Sequence, residues 1–459
     1  MATSSSAAPS EGSADGMAEV LGELAERWPE NRIGPSLTRI AMLCDVLGSP
    51  ERAAPAIKVV GTNGKTSTAR LIESLLRATG LRTGLYTSPH LRSPTERIAV
   101  DGEPISEDRF VQTYSDVAPF VDMVDAQAAD SEDGHRMTYF EVLTGMAFAC
   151  FADAPTSVSV LEAGMGGSWD ATNVAPGHVC VLTPVGLDHT EYLGPDLASI
   201  ASEKVGVLAS GGLLVSADQD PAVVRVVEEH AARVGASVLM QGRDFDVVRR
   251  DVAVGGQLLT IRGIAATYED VFLSLHGEHQ AGNLALAVAA VEAFIGGGRQ
   301  AIDADVLAEA AAMAAIPGRL EVVRREPTVL LDGAHNPAGA RALAQALGEE
   351  FTFGRLVGVL GVLAGKDMIG VMEALEPVLD HVVVTAPLSP RAVDPAAVAR
   401  HARDVFGEER VSEVASLDDA LVAALAEAED GAQLGLASGV VVTGSVVTVG
   451  QARTLLGEG

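Results

Sequence analysis

Val59-Val60-Gly61-Thr62-Asn63-Gly64-Lys65-Thr66-Ser67 is the stretch whose reading decides the fold. A β-branched run enters a glycine-rich turn and a helical pattern leaves it. Ala56 to Val60 reads as a buried strand, and Lys65 to Thr79 as a helix with Ala69, Ile72, Leu75 and Leu76 on one face, stopped by Gly80. At such a junction backbone N–H groups and the helix N-terminus converge on a phosphate, while the Lys65 ammonium and Thr66 hydroxyl reach phosphate and Mg²⁺. The spacing departs from G-x-x-x-x-G-K-[ST], since residue 59 is Val and the first glycine is Gly61. The competing reading is an ordinary capped strand-to-helix turn. Composition favours phosphate: 28 arginines stand against 4 lysines, Lys58, Lys65, Lys204 and Lys366, so a lysine that remains points to chemistry an arginine cannot do.

Outward from this loop the same alternation repeats. Strands at 82–86, 157–162, 179–185 and 213–216 alternate with helical stretches near 138–152, 197–208 and 221–234, the signature of a largely parallel sheet covered on both faces. Residues 245–275 alternate apolar and polar around Gly255-Gly256, an antiparallel hairpin or meander at the edge. Helices at 279–295 and 301–314 follow, and Ile316-Pro317-Gly318 breaks the chain. Strands at 328–332, 355–362, 381–386 and 439–443 then alternate with helices near 337–349, 367–378, 394–405 and 417–428. The expected architecture is α/β: a P-loop NTPase-like parallel-sheet domain with an antiparallel edge over 17–315, and a smaller Rossmann-like domain over 316–459. Residues 1–16, rich in Ser, Ala and Gly, read as a disordered tail.

Composition excludes whole classes of partner. The chain has 459 residues, 48% of them hydrophobic, and a formal charge of -30, which repels nucleic-acid phosphates and anionic lipid surfaces. Cys44, Cys150 and Cys180 match no zinc spacing and, being odd in number, no disulfide framework. No apolar run approaches the ~18 residues of a membrane span, and the N-terminus lacks the basic and apolar blocks of a signal peptide. A cytoplasmic protein is expected.

Further residues bear on chemistry. No lysine is followed at the second position by Asp, so the N-K-x-D base-reading element of a GTPase is missing. Glu162 and His189 each follow a strand, where open α/β sheets bind ligands, and read as metal or phosphate contacts, or as structural residues. Lys204 reads from its helix as an exposed, paired lysine. In Asp332-Gly333-Ala334-His335-Asn336-Pro337, Asn336 is a helix cap before Pro337, while Asp332 and His335 would suit orienting a phosphate and a nucleophile.

G-T-N-G-K-T-S at 61–67, T-S-P-H-L-R-S-P-T-E-R-I at 87–98, L-E-A-G-M-G-G-S-W-D-A-T-N at 161–173, L-D-H-T-E-Y-L-G at 187–194, E-K-V-G at 203–206, G-E-H-Q-x-x-N at 277–283, P-G-R at 317–319 and L-D-G-A-H-N-P at 331–337 occur in that order. Together they resemble the folylpolyglutamate synthase/dihydrofolate synthase branch of the Mur ligase superfamily. The resemblance implies an ATP-dependent ligase that joins L-glutamate to a folate or dihydropteroate carboxylate through an acyl phosphate, acting as a monomer. It implies that Gly64, Lys65, Thr66 and Ser67 hold the ATP phosphates, and that Asn283, Arg319 and Asp332 contact ATP. It further implies that Ser88, Glu162 and His189 bind Mg²⁺, that Lys65, His335 and a carbamylated Lys204 serve catalysis, and that Thr138, Tyr139, Phe140, Glu141, Trp169, Asp170 and Ala171 contact the pterin. Ser168 departs from the family, where an arginine is expected. Two alternatives are a Mur-type ligase acting on a UDP-sugar peptide and a non-catalytic nucleotide-binding regulator.

Overall fold

A computed structural model describes residues 11–30, 32, 34–129, 134–430 and 437–457. The first eight strands are β1 (Ala56–Val60), β2 (Thr83–Tyr86), β3 (Ile98–Val100), β4 (Glu103–Pro104), β5 (Val158–Glu162), β6 (Gly177–Leu182), β7 (Leu213–Ser216) and β8 (Ser237–Met240). They form one sheet in the order β4-β3-β2-β5-β1-β6-β7-β8. From β2 to β8 every pairing is parallel, and β3 and β4 add an antiparallel edge. The phosphate-loop strand β1 is therefore central, and all five of its residues are buried.

Period-2 alternation sends Ile57 and Val59 to one face of β1, where they pack with Ala69, Ile72, Leu75 and Leu76 of helix Lys65–Ala78 and with helix Glu278–Gly296. The stripe read from the sequence is the buried one. Each fully buried leucine or isoleucine in it contributes ~1.5–3 kcal/mol of transfer free energy, which is what holds the phosphate-loop helix down.

β9 (Asp246–Ala253), β10 (Gly256–Arg262) and β11 (Thr267–Leu273) are the expected antiparallel meander, but they make a separate three-stranded sheet. The edge of the large sheet is built instead from β3 and β4, too short to show a period in sequence. The second unit is a six-stranded sheet of β12 (Glu321–Arg325), β13 (Thr328–Leu331), β14 (Phe353–Gly361), β15 (His381–Ala386), β16 (Val411–Ser416) and β17 (Ala437–Thr443), ordered β12-β13-β17-β14-β15-β16 and parallel except at β12.

The N-terminal expectation needs correction. Residues 1–10 lie outside the described residues, but a helix runs from Glu11 to Ala25, so 11–16 are helical and not tail. Met17, Val20 and Leu24 fall on one face and are buried in the cluster that includes Phe110, Tyr114 and Val117 of helix Glu107–Ala129. Among the described residues no helix is long and apolar enough to cross a membrane. The three cysteines are buried and free.

Candidate active site

The phosphate loop is held from the neighbouring strand end. Thr62 and Asn63 N–H groups donate to the Pro184 carbonyl at 3.0 and 3.3 Å, and the Thr62 hydroxyl to the Gly186 carbonyl at 3.1 Å. Gly61 and Gly64 have φ of 148° and 83°. A Cβ at Gly61 would collide with the Thr183 side chain and sit 2.8 Å from its carbonyl oxygen; one at Gly64 would sit 2.7 Å from Asn283 Oδ1. Both positions therefore require glycine for conformation and for space. Lys65 Nζ donates to Thr62 O at 3.2 Å. Burial lowers its pKa, opposed by the carboxylates of Glu162 and Asp188.

Glu162 ends β5 beside this loop. Its two oxygens accept from Thr66 Oγ1 at 2.8 Å and from the Ser88 N–H at 3.2 Å. Burial raises its pKa, and Lys65 pulls it back down. From helix Glu278–Gly296, Asn283 accepts from the Thr68 hydroxyl at 3.3 Å and donates to Gln280 at 3.0 Å, and Gln280 reaches Ser67 at 3.5 Å.

The second unit closes over the loop. Asp332, at the tip of β13, accepts from the N–H groups of Leu320 at 2.8 Å and Ala334 at 2.9 Å. Burial raises its pKa against the opposing charge of Arg319. His335 Nδ1 donates to the Gly333 carbonyl at 2.8 Å, which places its proton on that nitrogen and leaves Nε2 3.7 Å from Asp188 Oδ2. Asn336 caps helix Pro337–Glu350, as expected from its sequence, and its Nδ2 also donates to Asn63 Oδ1 at 2.9 Å in the phosphate loop.

Asp188 is the residue the sequence reading missed. It accepts from Lys366 Nζ at 2.7 Å and Asn336 Nδ2 at 3.3 Å, both from the second unit. Burial would raise its pKa, but His335, Lys366 and His189 together hold it well below the usual carboxylate range. Its neighbour His189, in a left-handed conformation at φ 51°, lies 3.3 Å from Lys366 Nζ, and burial with Lys366 lowers its pKa to about 4, so the ring is neutral. The available signal was the Asp-His pair itself, in the loop that follows β6.

One cavity of about 1170 Å³ joins these parts, lined by Lys65, Glu162, His189, Lys204, Arg319 and His335 among others. Gly64, Thr66, Ser67, Ser88, Asn283 and Asp332 also line it, as do Thr138, Phe140, Glu141, Trp169, Asp170 and Ala171. Of the expected site residues, Tyr139 alone does not; its ring lies under the Arg97 guanidinium, 5.4 Å from it.

Residues 59–291 match the Mur ligase middle domain, and residues 318–446 the Mur ligase glutamate ligase domain. The dihydrofolate synthase/folylpolyglutamate synthase of Mycobacterium tuberculosis is 49% identical over 100% of this chain and 99% of its own length. The chain belongs to the folylpolyglutamate synthase/dihydrofolate synthase family of Mur ligases. The folylpolyglutamate synthase of Lacticaseibacillus casei is 32% identical, over 91% of this chain and 94% of its own. Among solved structures, M. tuberculosis folylpolyglutamate synthase complexed with ADP and AMPPCP superposes with a TM-score of 0.92 at 48% identity, covering 97% of this chain and 99% of that one.

In this Mur ligase the residues expected to meet the acceptor are unevenly engaged. Thr138 and Glu141 form a reciprocal cap on helix Tyr139–Asp153, and Glu141 is bound to buried Arg39 at 3.1 Å. Asp170 accepts from the N–H groups of Gly164 and Met165 at 2.9 and 3.3 Å, and from Thr172 N and Oγ1 at 3.0 and 2.7 Å. These carboxylates shape the wall, while Phe140 and Trp169 supply its aromatic surface. Lys204 is buried, not exposed as its helix suggested; Nζ donates to Met165 O at 2.9 Å, and burial with nearby Lys65 lowers its pKa to about 7. Among the described residues no three His, Cys, Asp or Glu side chains gather as a metal cage. The donor set of Ser88, Glu162, His189 and the Thr66 hydroxyl nonetheless fits Mg²⁺, which beside a nucleotide is held by one or two carboxylates, water and phosphate oxygens.

Proposed function

We propose that this enzyme uses ATP to activate the carboxylate of dihydropteroate or a reduced folate, and joins it to the amine of L-glutamate. The single observation that carries this reading is the cavity in which the phosphate loop, the second unit's Arg319 and His335, and the Phe140–Trp169 wall meet. A carboxylate is inert to amines at neutral pH. Transfer of the γ-phosphoryl group to one of its oxygens releases ADP and gives an acyl phosphate. The glutamate amine then attacks the acyl carbon; the C–N bond forms, the C–O bond breaks and phosphate leaves. Lys65 and Arg319 stabilise the transferring phosphoryl from two sides, as phosphoryl transfer requires. Mg²⁺, which Ser88, Thr66, Glu162 and His189 would hold, supplies further neutralising charge when bound.

His335, anchored by its Nδ1 bond to the Gly333 carbonyl, turns Nε2 toward Asp188 and into the cavity, where that face of the ring would orient the incoming amine. Lys204, with a pKa of about 7, has a large neutral fraction at physiological pH, and a neutral amine is what CO₂ carbamylates. Closure of the second unit over the loop excludes the water that would hydrolyse the acyl phosphate.

The test is ADP release and glutamylated product from ATP, L-glutamate and either dihydropteroate or tetrahydrofolate. Turnover dependent on both glutamate and acceptor is expected, with none on a UDP-sugar peptide. ADP release indifferent to both substrates would overturn the assignment.

A further inference from the structure

Lys58 is the buried lysine that the reaction above does not use. It lies in the middle of β1, 4% exposed, paired with Leu161 of β5 and Cys180 of β6. Its flanking same-face neighbours are apolar: Ala56 packs in the cluster under the N-terminal helices, Val60 in the cluster under helix Leu197–Lys204. An ammonium at a central strand position between two apolar clusters is costly unless it is hydrogen-bonded.

Its partners are Asn173 Oδ1 at 2.7 Å and Asn173 O at 3.3 Å. The second is a carbonyl of the short 3-10 turn Ala171–Val174. Asn173 turns its amide the other way and donates Nδ2 to Ser168 O at 3.0 Å. Ser168 in turn donates N–H and Oγ to Glu203 Oε1 at 2.9 and 2.5 Å, next to Lys204. A continuous run of hydrogen bonds thus leads from the centre of the sheet through Asn173 to the residue immediately before Trp169. Of the segment it braces, Gly164, Met165, Trp169, Asp170 and Ala171 line the cavity.

We propose that Lys58 is a positioning residue for the acceptor: through Asn173 it fixes the Ser168–Ala171 segment so that Trp169 presents its ring to the pteridine. The ammonium touches no substrate. It acts on the Trp169 wall because its bonds lead to that segment, whereas the phosphate loop, on the same strand, is anchored by Pro184 and Gly186. This accounts for a lysine where a strand interior would otherwise take an aliphatic side chain. Ser168, where the family expects arginine, becomes a hydrogen-bonding relay between Asn173 and Glu203. The inference rests on the proposed pterin acceptor.

The test compares Lys58→Met, which keeps length and loses the ammonium, with Asn173→Ala and the double variant. Wild type and variants are assayed for KM of acceptor, ATP and glutamate separately. Each single variant should raise the acceptor KM about 10-fold with the ATP KM within about 2-fold, and the double variant should be no worse than either single. Asn173 is half-buried in a turn, so its variant decides the matter if Lys58→Met fails to fold. In a Trp28→Phe background, Trp169 is the sole tryptophan, and quenching of its fluorescence reads acceptor affinity without turnover. An unchanged acceptor KM and quenching curve in folded Asn173→Ala, or all three KM values rising together, would overturn the inference while leaving the ligase assignment standing. A wild-type enzyme that neither glutamylates nor is quenched by any pterin acceptor would overturn both.

Discussion

Two lysines carry the predictions at the scale of single residues. Lys65→Ala removes the ammonium proposed to meet the transferring phosphoryl, so ADP release should fall at least ~10²-fold, the range for losing one transition-state charge contact. An assay of acceptor- and glutamate-dependent ADP release checks it. Lys204→Ala should be similarly inactive, and acetate or formate should restore part of the activity if a carbamate is the working group; the absence of rescue across a millimolar range of small carboxylates would count against it. Lys204 also makes a stability prediction. Its folded pKa of about 7 lies below the ordinary 10.5, so between those values the unfolded chain binds more protons and stability rises with pH. The full burial penalty, on the order of 5 kcal/mol at ~1.4 kcal/mol per pH unit, applies below pH 7. Lys204→Met in bicarbonate-free buffer should therefore raise Tm at pH 6 and lose that advantage towards pH 10. The sequence displayed Lys65 and Lys204 because each falls in a motif. Asp188 escaped because its partners Asn336 and Lys366 lie 148 and 178 residues away, and no local pattern encodes such a meeting.

At the scale of elements, the phosphate loop is the most constrained junction in the chain. Gly61→Ala would force a Cβ against Thr183, whose backbone cannot yield because it belongs to the adjacent strand end, at a φ that L-residues seldom adopt. A loss of roughly 3 kcal/mol or more is expected, the upper end of single-residue effects. Gly64→Ala meets the Asn283 side chain rather than backbone, so it should cost less stability than Gly61→Ala while weakening nucleotide binding by disturbing the Asn283 bonds to Thr68 and Gln280. Denaturant midpoints and ADP titration separate the two. Elements of this kind were legible: strand β1, its helix, and the alternation of both units follow from hydrophobic period and glycine. Those that escaped were short or weakly patterned. β3, β4 and β12 have two to five residues, and helix Glu107–Ala129 contains Pro119 within an irregular apolar pattern.

At the scale of the whole molecule, the two units are joined by a charged latch next to the Glu278–Gln280 rim of the cavity. Glu350, at the end of helix Pro337–Glu350, accepts from the Gly277 N–H at 2.7 Å, His276 Nδ1 at 2.8 Å and the Arg250 guanidinium. Arg250, on β9, also binds Glu349 at 2.9 Å. The meander, which bears no expected site residue, thereby gains a role: it holds the helix whose other end carries Asn336 and His335. Burial raises the Glu350 pKa, but the bonds from His276 and Gly277 and the charge of Arg250 outweigh it, and the net shift is downward. A carboxylate with a depressed pKa contributes stability above its unfolded value and loses it as pH falls through the folded one. The latch should therefore hold throughout neutral pH and open only below about 4.5, the ordinary glutamate value. Glu350→Ala removes three bonds at once and leaves Arg250 and His276 without their shared acceptor. The second unit should then sample open positions, increasing the radius of gyration in X-ray solution scattering without ligand. Because the second unit carries Arg319, Asp332 and His335, the residues proposed to meet the nucleotide and the incoming amine, the ATP KM should rise several-fold, and ATP with acceptor should restore compaction. A variant of unchanged size and unchanged ATP KM would show that Asp188 with Lys366 and Asn336 suffices to hold the units together.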